Sequence, residues 1–380
     1  MKFSDILGNE QAVEQVRNMI DADRLPHALL LHGEAGIPKL ALARAAAQYL
    51  HCTNREGGDS CGHCASCRQH QSFNHTDTFF SFPYVNKSKD SKKPSVCDDF
   101  MAEWKDFLTA SDVEDYERWL NILKSDNSQP SIMTAESTQI MHKMSMTAYT
   151  SRYKVLIMWL PEKMHPQCAN KLLKLIEEPY DDCKFILVSD NIKGILGTIL
   201  SRTQRIEMRL PSVQVIADHL VRRYSIDPQD AMAIAAPAGG NVNTAEHLME
   251  ANNELVEFHS QFVELMRAAY VYDTGRLKLW SDTIVDFKRE KAQRFLRYAA
   301  RQVRENFIYN LHMPQLNYLT RQEQQFSSRF APFINEANVQ AMHDELSRAE
   351  RDIRGNANGR IVLFDLALRM GNLIRSQAKR

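Results

Sequence analysis

Two hydropathy patterns divide the chain near Pro211. Up to that point short apolar runs alternate with stretches of helical period. Val13, Val16 and Ile20, following a turn at Gly8-Asn9, predict an amphipathic N-terminal helix within Phe3 to Ile20. Leu29-Leu30-Leu31 predicts a strand, and the alanine-rich segment Ala41 to Tyr49 a helix that can pack closely on a sheet. A helix over Ile132 to Ala148 would turn Ile132, Ile140, Met141 and Met144 inward. The unbroken apolar run Val155 to Leu160 reads as a strand buried on both faces. Then come a helix from Ala169 stopped by Pro179, a strand Phe185 to Ser189, a short helix within Ile192 to Leu200, and a strand Ile206 to Leu210. This alternation is that of an α/β fold, a parallel sheet with helices on both faces.

Beyond Pro211 only helical periodicity is present. It predicts helices over Val213 to Tyr224, Pro228 to Ala236 and Val242 to Ala251, the third after the turn Pro237 to Asn241. A further all-helical block follows, with helices over Leu255 to Tyr270, Ile284 to Leu311, Phe333 to Ile353 and Ile361 to Ile374. At 380 residues, two or three domains are expected. The divisions predicted are 1–211, 212–252 and 253–380, with a cysteine module at about 50–70 and an insertion at about 82–130 inside the first. In the insertion, Phe100, Trp104, Phe107, Leu108, Trp119, Leu120 and Leu123 predict an apolar face of its own. Its polar segment Asn86 to Pro94 carries Lys87, Lys89, Lys92 and Lys93, which read as a solvated loop or as a DNA contact.

Composition adds exclusions. Forty-seven basic residues balance 47 acidic ones, so wholesale polyanion binding is not implied and any nucleic-acid contact must come from a local patch or an assembly. No stretch reaches about eighteen apolar residues and Met1 to Ile6 lacks an apolar leader, so the expected location is cytoplasmic, with no membrane partner. In that reducing compartment the seven cysteines favour metal ligation or buried thiols over disulfides.

Two constellations carry chemistry. The strand at Leu29 runs into His32-Gly33-Glu34-Ala35-Gly36-Ile37-Pro38-Lys39-Leu40 and then a helix, the layout of a phosphate-binding P-loop. In such a loop glycines let backbone N–H groups close on phosphate oxygens, a lysine reaches the β- and γ-phosphates, and a hydroxyl holds Mg²⁺. Here Pro38 stands at the second glycine and has no N–H to offer, and Leu40 stands at the hydroxyl. After the later strand, Leu160-Pro161-Glu162 replaces the acidic pair that positions Mg²⁺ and water in an ATPase. Gly33, Gly36 and Lys39 are therefore candidates for weak nucleotide binding at most, with Lys39 as a solvated loop lysine the alternative. The second constellation is Cys52, Cys61, Cys64 and Cys67, spaced C-x8-C-x2-C-x2-C. Four thiolates complete a closed tetrahedral zinc site; an iron–sulfur cluster uses similar spacing. His63 and His70 could compete as ligands but read better as solvated bystanders.

The chain resembles the delta-prime family of bacterial DNA polymerase III clamp-loader subunits, within the AAA+ class. The resemblance rests on Ile6-Leu7-Gly8, His27 to Gly33, the cysteine insert, Ala169 to Lys174, Leu175-Ile176-Glu177-Glu178-Pro179 and Thr198-Ile199-Leu200-Ser201-Arg202. It implies an AAA+ P-loop NTPase-like core at 1–211, a small helical lid at 212–252 and an all-α collar for oligomerisation at 253–380. It implies, further, a stator in a ring-like loader with motor subunits of the tau/gamma type and a delta subunit, which opens the sliding clamp and sets it on primed DNA. Polymerase activity would belong to that assembly only. Such stators commonly hold a poor nucleotide site and donate an arginine from a Ser-Arg-Cys motif to ATP on the neighbour. Ser201-Arg202-Thr203 matches except for the cysteine, so the resemblance implies that Arg202, beside Ser201, acts in trans, while zinc is structural and ATP/Mg is not turned over here. A buried ion pair is the alternative for Arg202. The lid's usual arginine is missing near Gly240 to Asn243. The rival readings are an active loader ATPase and a zinc-containing nucleic-acid-binding adaptor on the same scaffold.

Overall fold

A computed structural model describes residues 1–87, 94–125, 129–180, 182–311, 319 and 321–375. Most of the lysine-bearing segment Asn86 to Pro94 therefore lies outside the described residues; Lys87 is within them and pairs with Glu103 at 3.3 Å. The chain divides into two compact units, Met1–Met249 and Glu250–Arg380.

The first unit is built on α1 (Glu10–Asp21), β1 (Ala28–His32), α2 (Lys39–His51), α3 (Ala65–Gln71) and β2 (Thr78–Ser81). It continues through α4 (Met101–Ala110), α5 (Tyr116–Leu123), α6 (Thr134–Ser145), β3 (Lys154–Trp159), α7 (Pro166–Glu177), β4 (Cys183–Ser189), α8 (Gly197–Leu200) and β5 (Gln204–Glu207). The five strands form one sheet in the order β2-β3-β4-β1-β5, with every pairing parallel. This is the expected α/β core, a parallel sheet with helices on both faces. Leu29 and Leu31 pack with α2 on one face, while Leu30 packs with α7 on the other, as alternation along a doubly covered strand requires. Strand β1 lies between β4 and β5, so the loop leaving its carboxyl end sits where parallel sheets hold ligands.

In the sheet and the segments packed on it, three features depart from the sequence pattern. Strand β2, only Thr78-Phe79-Phe80-Ser81, adds an edge to the sheet beside β3 and has too few residues to show a period. The final strand is Gln204–Glu207 rather than Ile206 to Leu210. Most consequentially, the described residues Phe82, Phe100, Trp104, Phe107 and Trp119 of the segment at 82–130 do not form a separate face but join the same core as α2 and β1. Trp104 stacks on Phe82 at 4.1 Å between ring centroids and lies 5.5 Å from Trp159 of β3.

The first unit closes with α9 (Val213–Tyr224) and α10 (Pro228–Ala238), whose small core also takes in Leu7 and Val113. The helices expected over Val242 to Ala251 and Leu255 to Tyr270 are one, α11 (Val242–Val271), because Asn252 and Asn253 weaken helix propensity without breaking the backbone ladder. Conversely, the helix expected from Ile284 to Leu311 is two, α12 (Thr274–Val285) and α13 (Arg289–Asn310), parted at Asp286-Phe287-Lys288. Then follow α14 (Arg321–Phe330), α15 (Val339–Arg354) and α16 (Gly359–Arg375). Phe333 closes a short 3-10 turn instead of opening a helix. The second unit is thus all-helical, with Phe262, Phe295, Leu346 and Leu366 in its core.

Candidate functional site

Lys39 opens α2 with its side chain fully buried. Its ammonium donates to the Glu34 carbonyl and lies 2.9 Å from Asp190 Oδ1 and 4.0 Å from Glu114 Oε1. Glu114 also accepts the Leu40 backbone N–H at 3.1 Å, in the first turn of α2. Unpaired N–H groups and the helix dipole make that turn an anion site, and here the anion is the chain's own carboxylate. Burial pushes the Glu114 carboxyl up to about 7 against the pull of Lys39. Asp190 is positioned in turn by Glu162, whose Oε1 accepts the N–H groups of Asp190 and Asn191 at 2.9 and 3.0 Å. The displaced acidic residue of the strand end thus orders a loop, and burial raises its pKa too. Lys39 is therefore not the solvated loop lysine that the sequence left open: it is buried and paired with Asp190.

The motif glycines serve close approaches within the protein. A Cβ on Gly36, at φ +84°, would fall 2.1 Å from Asn241 Oδ1, and one on Gly33 would fall 2.5 Å from the Met208 carbonyl oxygen. Asn241 Nδ2 donates to the Ala35 carbonyl at 3.0 Å, Val242 N–H to the Gly36 carbonyl at 3.2 Å, and Asn243 Nδ2 to the Glu114 carbonyl at 2.8 Å. These two asparagines tie the loop and the Glu114 segment to the start of α11.

Ser201 and Arg202 follow α8 on the surface. Arg202 is paired with Glu177, not Glu207: Nη2 lies 2.5 Å from Glu177 Oε1, with both side chains about 40% exposed or slightly less. Its Nη1 donates to the Thr198 carbonyl at 2.9 Å and to Ser201 Oγ at 3.1 Å. The pair is an exposed clasp, so the buried ion pair considered for Arg202 is not what the structure holds.

The four cysteines converge. Cys61 Sγ lies 3.7 Å from Cys52 Sγ and 3.9 Å from Cys67 Sγ, and one ligand atom from each of the four falls within 4.8 Å of the others. Thiolates bound at about 2.3 Å to one tetrahedral zinc are separated by about 3.8 Å, so the spacing fits. Backbone N–H groups of Cys61, Cys64 and Cys67 point at Cys52, Cys61 and Cys64 sulfurs at 3.3–3.4 Å. Burial raises the Cys64 thiol, but hydrogen bonds from Cys67 and Thr53 outweigh it and bring it to about 6, while burial raises Cys52 and Cys67. The Cys64 thiolate forms readily, whereas those of Cys52 and Cys67 need a positive charge, which a dication supplies. All seven cysteines are free thiols.

His63 is exposed as expected, but His70 is no bystander: it packs with His51 and His75, a group that spacing gave no means of finding. Burial is the main reason that His51 and His70 are pushed down to about 3 and about 2. Among the described residues no helix is long and apolar enough to cross a membrane.

Residues 8–212 match the family described as DNA polymerase III, delta subunit. Among similar proteins, the DNA polymerase III subunit delta-prime of Bacillus subtilis is 24% identical over 72% of this chain and 69% of its own length. Subunit delta-prime of Pseudomonas aeruginosa is 26% identical over 66% of this chain and 61% of its own. Subunit gamma of Buchnera aphidicola is 24% identical over 65% and 58%. The alignments with the last two cover less than two thirds of those relatives.

Proposed function

The chain belongs to the DNA polymerase III delta-subunit family, and from that premise we propose that it serves as a non-hydrolysing stator subunit of a replicative clamp loader. The observation that carries this reading is the state of Lys39, buried and paired with Asp190 and Glu114 instead of standing open to a phosphate. Phosphoryl transfer needs Mg²⁺ and fixed cations on the developing charge. Leu40 and Leu160 supply no metal ligand, and Glu162 is spent on the Asp190 loop. The partners in this reading are tau/gamma-type motor subunits and a delta subunit, with the sliding clamp and primed DNA reached through the assembly. The second unit serves as the collar, and zinc on the four cysteines is structural, since a closed thiolate shell leaves no position for water.

Arg202 is the residue we assign to ATP on the adjacent motor subunit. A planar, permanently charged guanidinium suits a γ-phosphate, and the clasp with Glu177 is exposed enough to open on docking. The test is reconstitution of Arg202→Ala with motor and delta subunits, measuring DNA-stimulated ATPase and clamp loading. Arginine fingers contribute about 10³–10⁵ in rate at the site they serve. With other ATP sites intact, total turnover should fall partially and clamp loading more steeply. The isolated variant should melt within about 2–4 °C of the parent, because an exposed pair contributes at most about 1 kcal/mol. Both activities at parent level in a normally assembled loader would refute the assignment.

A further inference from the structure

We propose that His51, His70 and His75 form a second metal site, taking one zinc-class dication beside the four-cysteine cluster. One ring nitrogen from each lies within 4.8 Å of the others. A tetrahedral ion with metal–nitrogen bonds of about 2.0–2.1 Å separates its donors by about 3.4 Å, so the donors have little distance to close.

The hydrogen bonds around His51 and His75 leave their Nδ1 lone pairs facing inward. His51 Nε2 sits 2.8 Å from the Tyr153 carbonyl, which can only accept, so its proton is on Nε2 and its lone pair on Nδ1. His75 follows the same rule: Nδ1 accepts the Asp77 N–H at 3.2 Å, and Nε2 is 3.0 Å from Ser66 Oγ. Both Nδ1 atoms face Thr78 Oγ1, at 3.4 and 3.5 Å, and His70 Nε2 lies 3.0 Å from His51 Nδ1. A distal N–H anchored on a carbonyl or hydroxyl, with the other nitrogen free to bind, is how metal-ligating histidines are oriented. The Asp77 carboxylate does not complete the cluster as a counter-ion, because it accepts the N–H groups of Tyr149, Thr150 and Ser151. Three uncharged imidazoles without a carboxylate suit a borderline ion such as zinc, not Ca²⁺ or Mg²⁺.

Without metal, His70 Nε2–H donates to His51. On binding, that proton moves to His70 Nδ1 through solvent, the ring stays neutral, and no net proton is released. The His75 ring is stacked on the other two, at 15° to His51 and 26° to His70, so the rings turn about their Cβ–Cγ bonds to aim at one ion. That torsion is broad and cheap to change. The long Asp77 bond to His75 is given up, and Thr78 Oγ1 is left on the fourth side, where it can hold a completing water.

The placement links both sites. His51 ends α2 and immediately precedes Cys52, while His70 lies on α3, which carries Cys67. Two ions would pin the same segments from both ends and fix them to β2 through Thr78.

The test is zinc content and zinc X-ray absorption of the full chain, purified without chelator from zinc-supplemented cells. About two equivalents with a mixed sulfur and nitrogen shell are expected, falling to about one with sulfur alone in His75→Ala. Cobalt-substituted His75→Ala should keep the thiolate charge-transfer band of the parent. One equivalent with a sulfur-only shell in the parent overturns the proposal, as does a His75→Ala chain that folds and retains two. If that variant does not melt cooperatively, the parent's shell decides alone. A nitrogen-only shell would support the histidine site while refuting zinc on the cysteines.

Discussion

The P-loop and the cysteine module are both sites that short motifs announce, and they differ in what the protein does with the polar groups it gathers there. At the P-loop the lysine and the Leu40 N–H that would meet a nucleotide already have partners within the chain, and the loop's carbonyls are tied down as well. Lys39 has Asp190 and Glu114, the Leu40 N–H has Glu114, and the Ala35 and Gly36 carbonyls have Asn241 and Val242. At the module four sulfurs crowd together, and their N–H contacts support at most part of the negative charge of four thiolates. In the function proposed above, the motif whose lysine is paired internally acts as structure, and the one whose donors converge takes a ligand.

That contrast is broken most severely at the module. In Cys64→Ser/Cys67→Ser, zinc content should drop by about one equivalent or more, since two thiolates cannot close a tetrahedral shell. Structural zinc is worth about 10–16 kcal/mol in isolated zinc fingers, but here the sheet persists without the module, so a loss of about 3–5 kcal/mol is expected. At about 2–4 °C per kcal/mol for a unit of this size, the melting temperature should fall by about 10 °C, and a strong chelator should do the same to the parent. An unchanged melt with unchanged zinc would remove the module from the comparison.

Lys39→Ala is the matching intervention at the loop, and its effect should appear in stability rather than catalysis. Removing one partner of a buried charge cluster leaves the other uncompensated, at about 3–5 kcal/mol. The variant should therefore melt about 6–20 °C lower, while neither protein should gain stability from millimolar ATP and Mg²⁺. A melt of the parent that rises with ATP, or a steady hydrolysis lost in Lys39→Ala, would mean that the loop still binds its ligand.

What the sequence made legible, and what it did not, follows the same line between local and distant determinants. The buried strands β3 and β4, the alternation up to residue 210 and the cysteine spacing are carried by neighbouring residues, so a window of the chain reveals them. Glu114 is 74 residues from the Leu40 N–H that it caps, and nothing in the spacing of the P-loop points to it. The same holds for Asn241, for Asp190, and for the aromatic residues of 82–130, whose burial against Trp159 depends on where the chain returns. His51, His70 and His75 obey no ligand spacing because helix ends and a loop, not one turn, bring them together. Arg202 was found by motif, but its partner Glu177 sits at the end of α7 and was not.

The smallest effect should come from Glu114→Gln, read as a change of slope with pH. Burial holds the Glu114 carboxyl at about 7, above the 4.5 of an ordinary glutamate. Between those values the folded chain binds more proton at this position than the unfolded chain does, so stability from this group falls as pH rises. The contribution is fully present below the unfolded pKa and is lost as pH passes through about 7. Glutamine keeps the shape and an oxygen for the Leu40 N–H but cannot titrate, so the variant lacks this slope. Melting curves of both proteins from about pH 5 to pH 8 should show the variant gaining on the parent as pH rises, by a few degrees, and levelling above about 7.5. The opposite sign would mean that Lys39 outweighs burial and that Glu114 is an ordinary ion-pair partner with a depressed pKa. In that case the carboxylate at the head of α2 would be a full negative charge under all physiological conditions, and the loop would be closed to phosphate still more firmly.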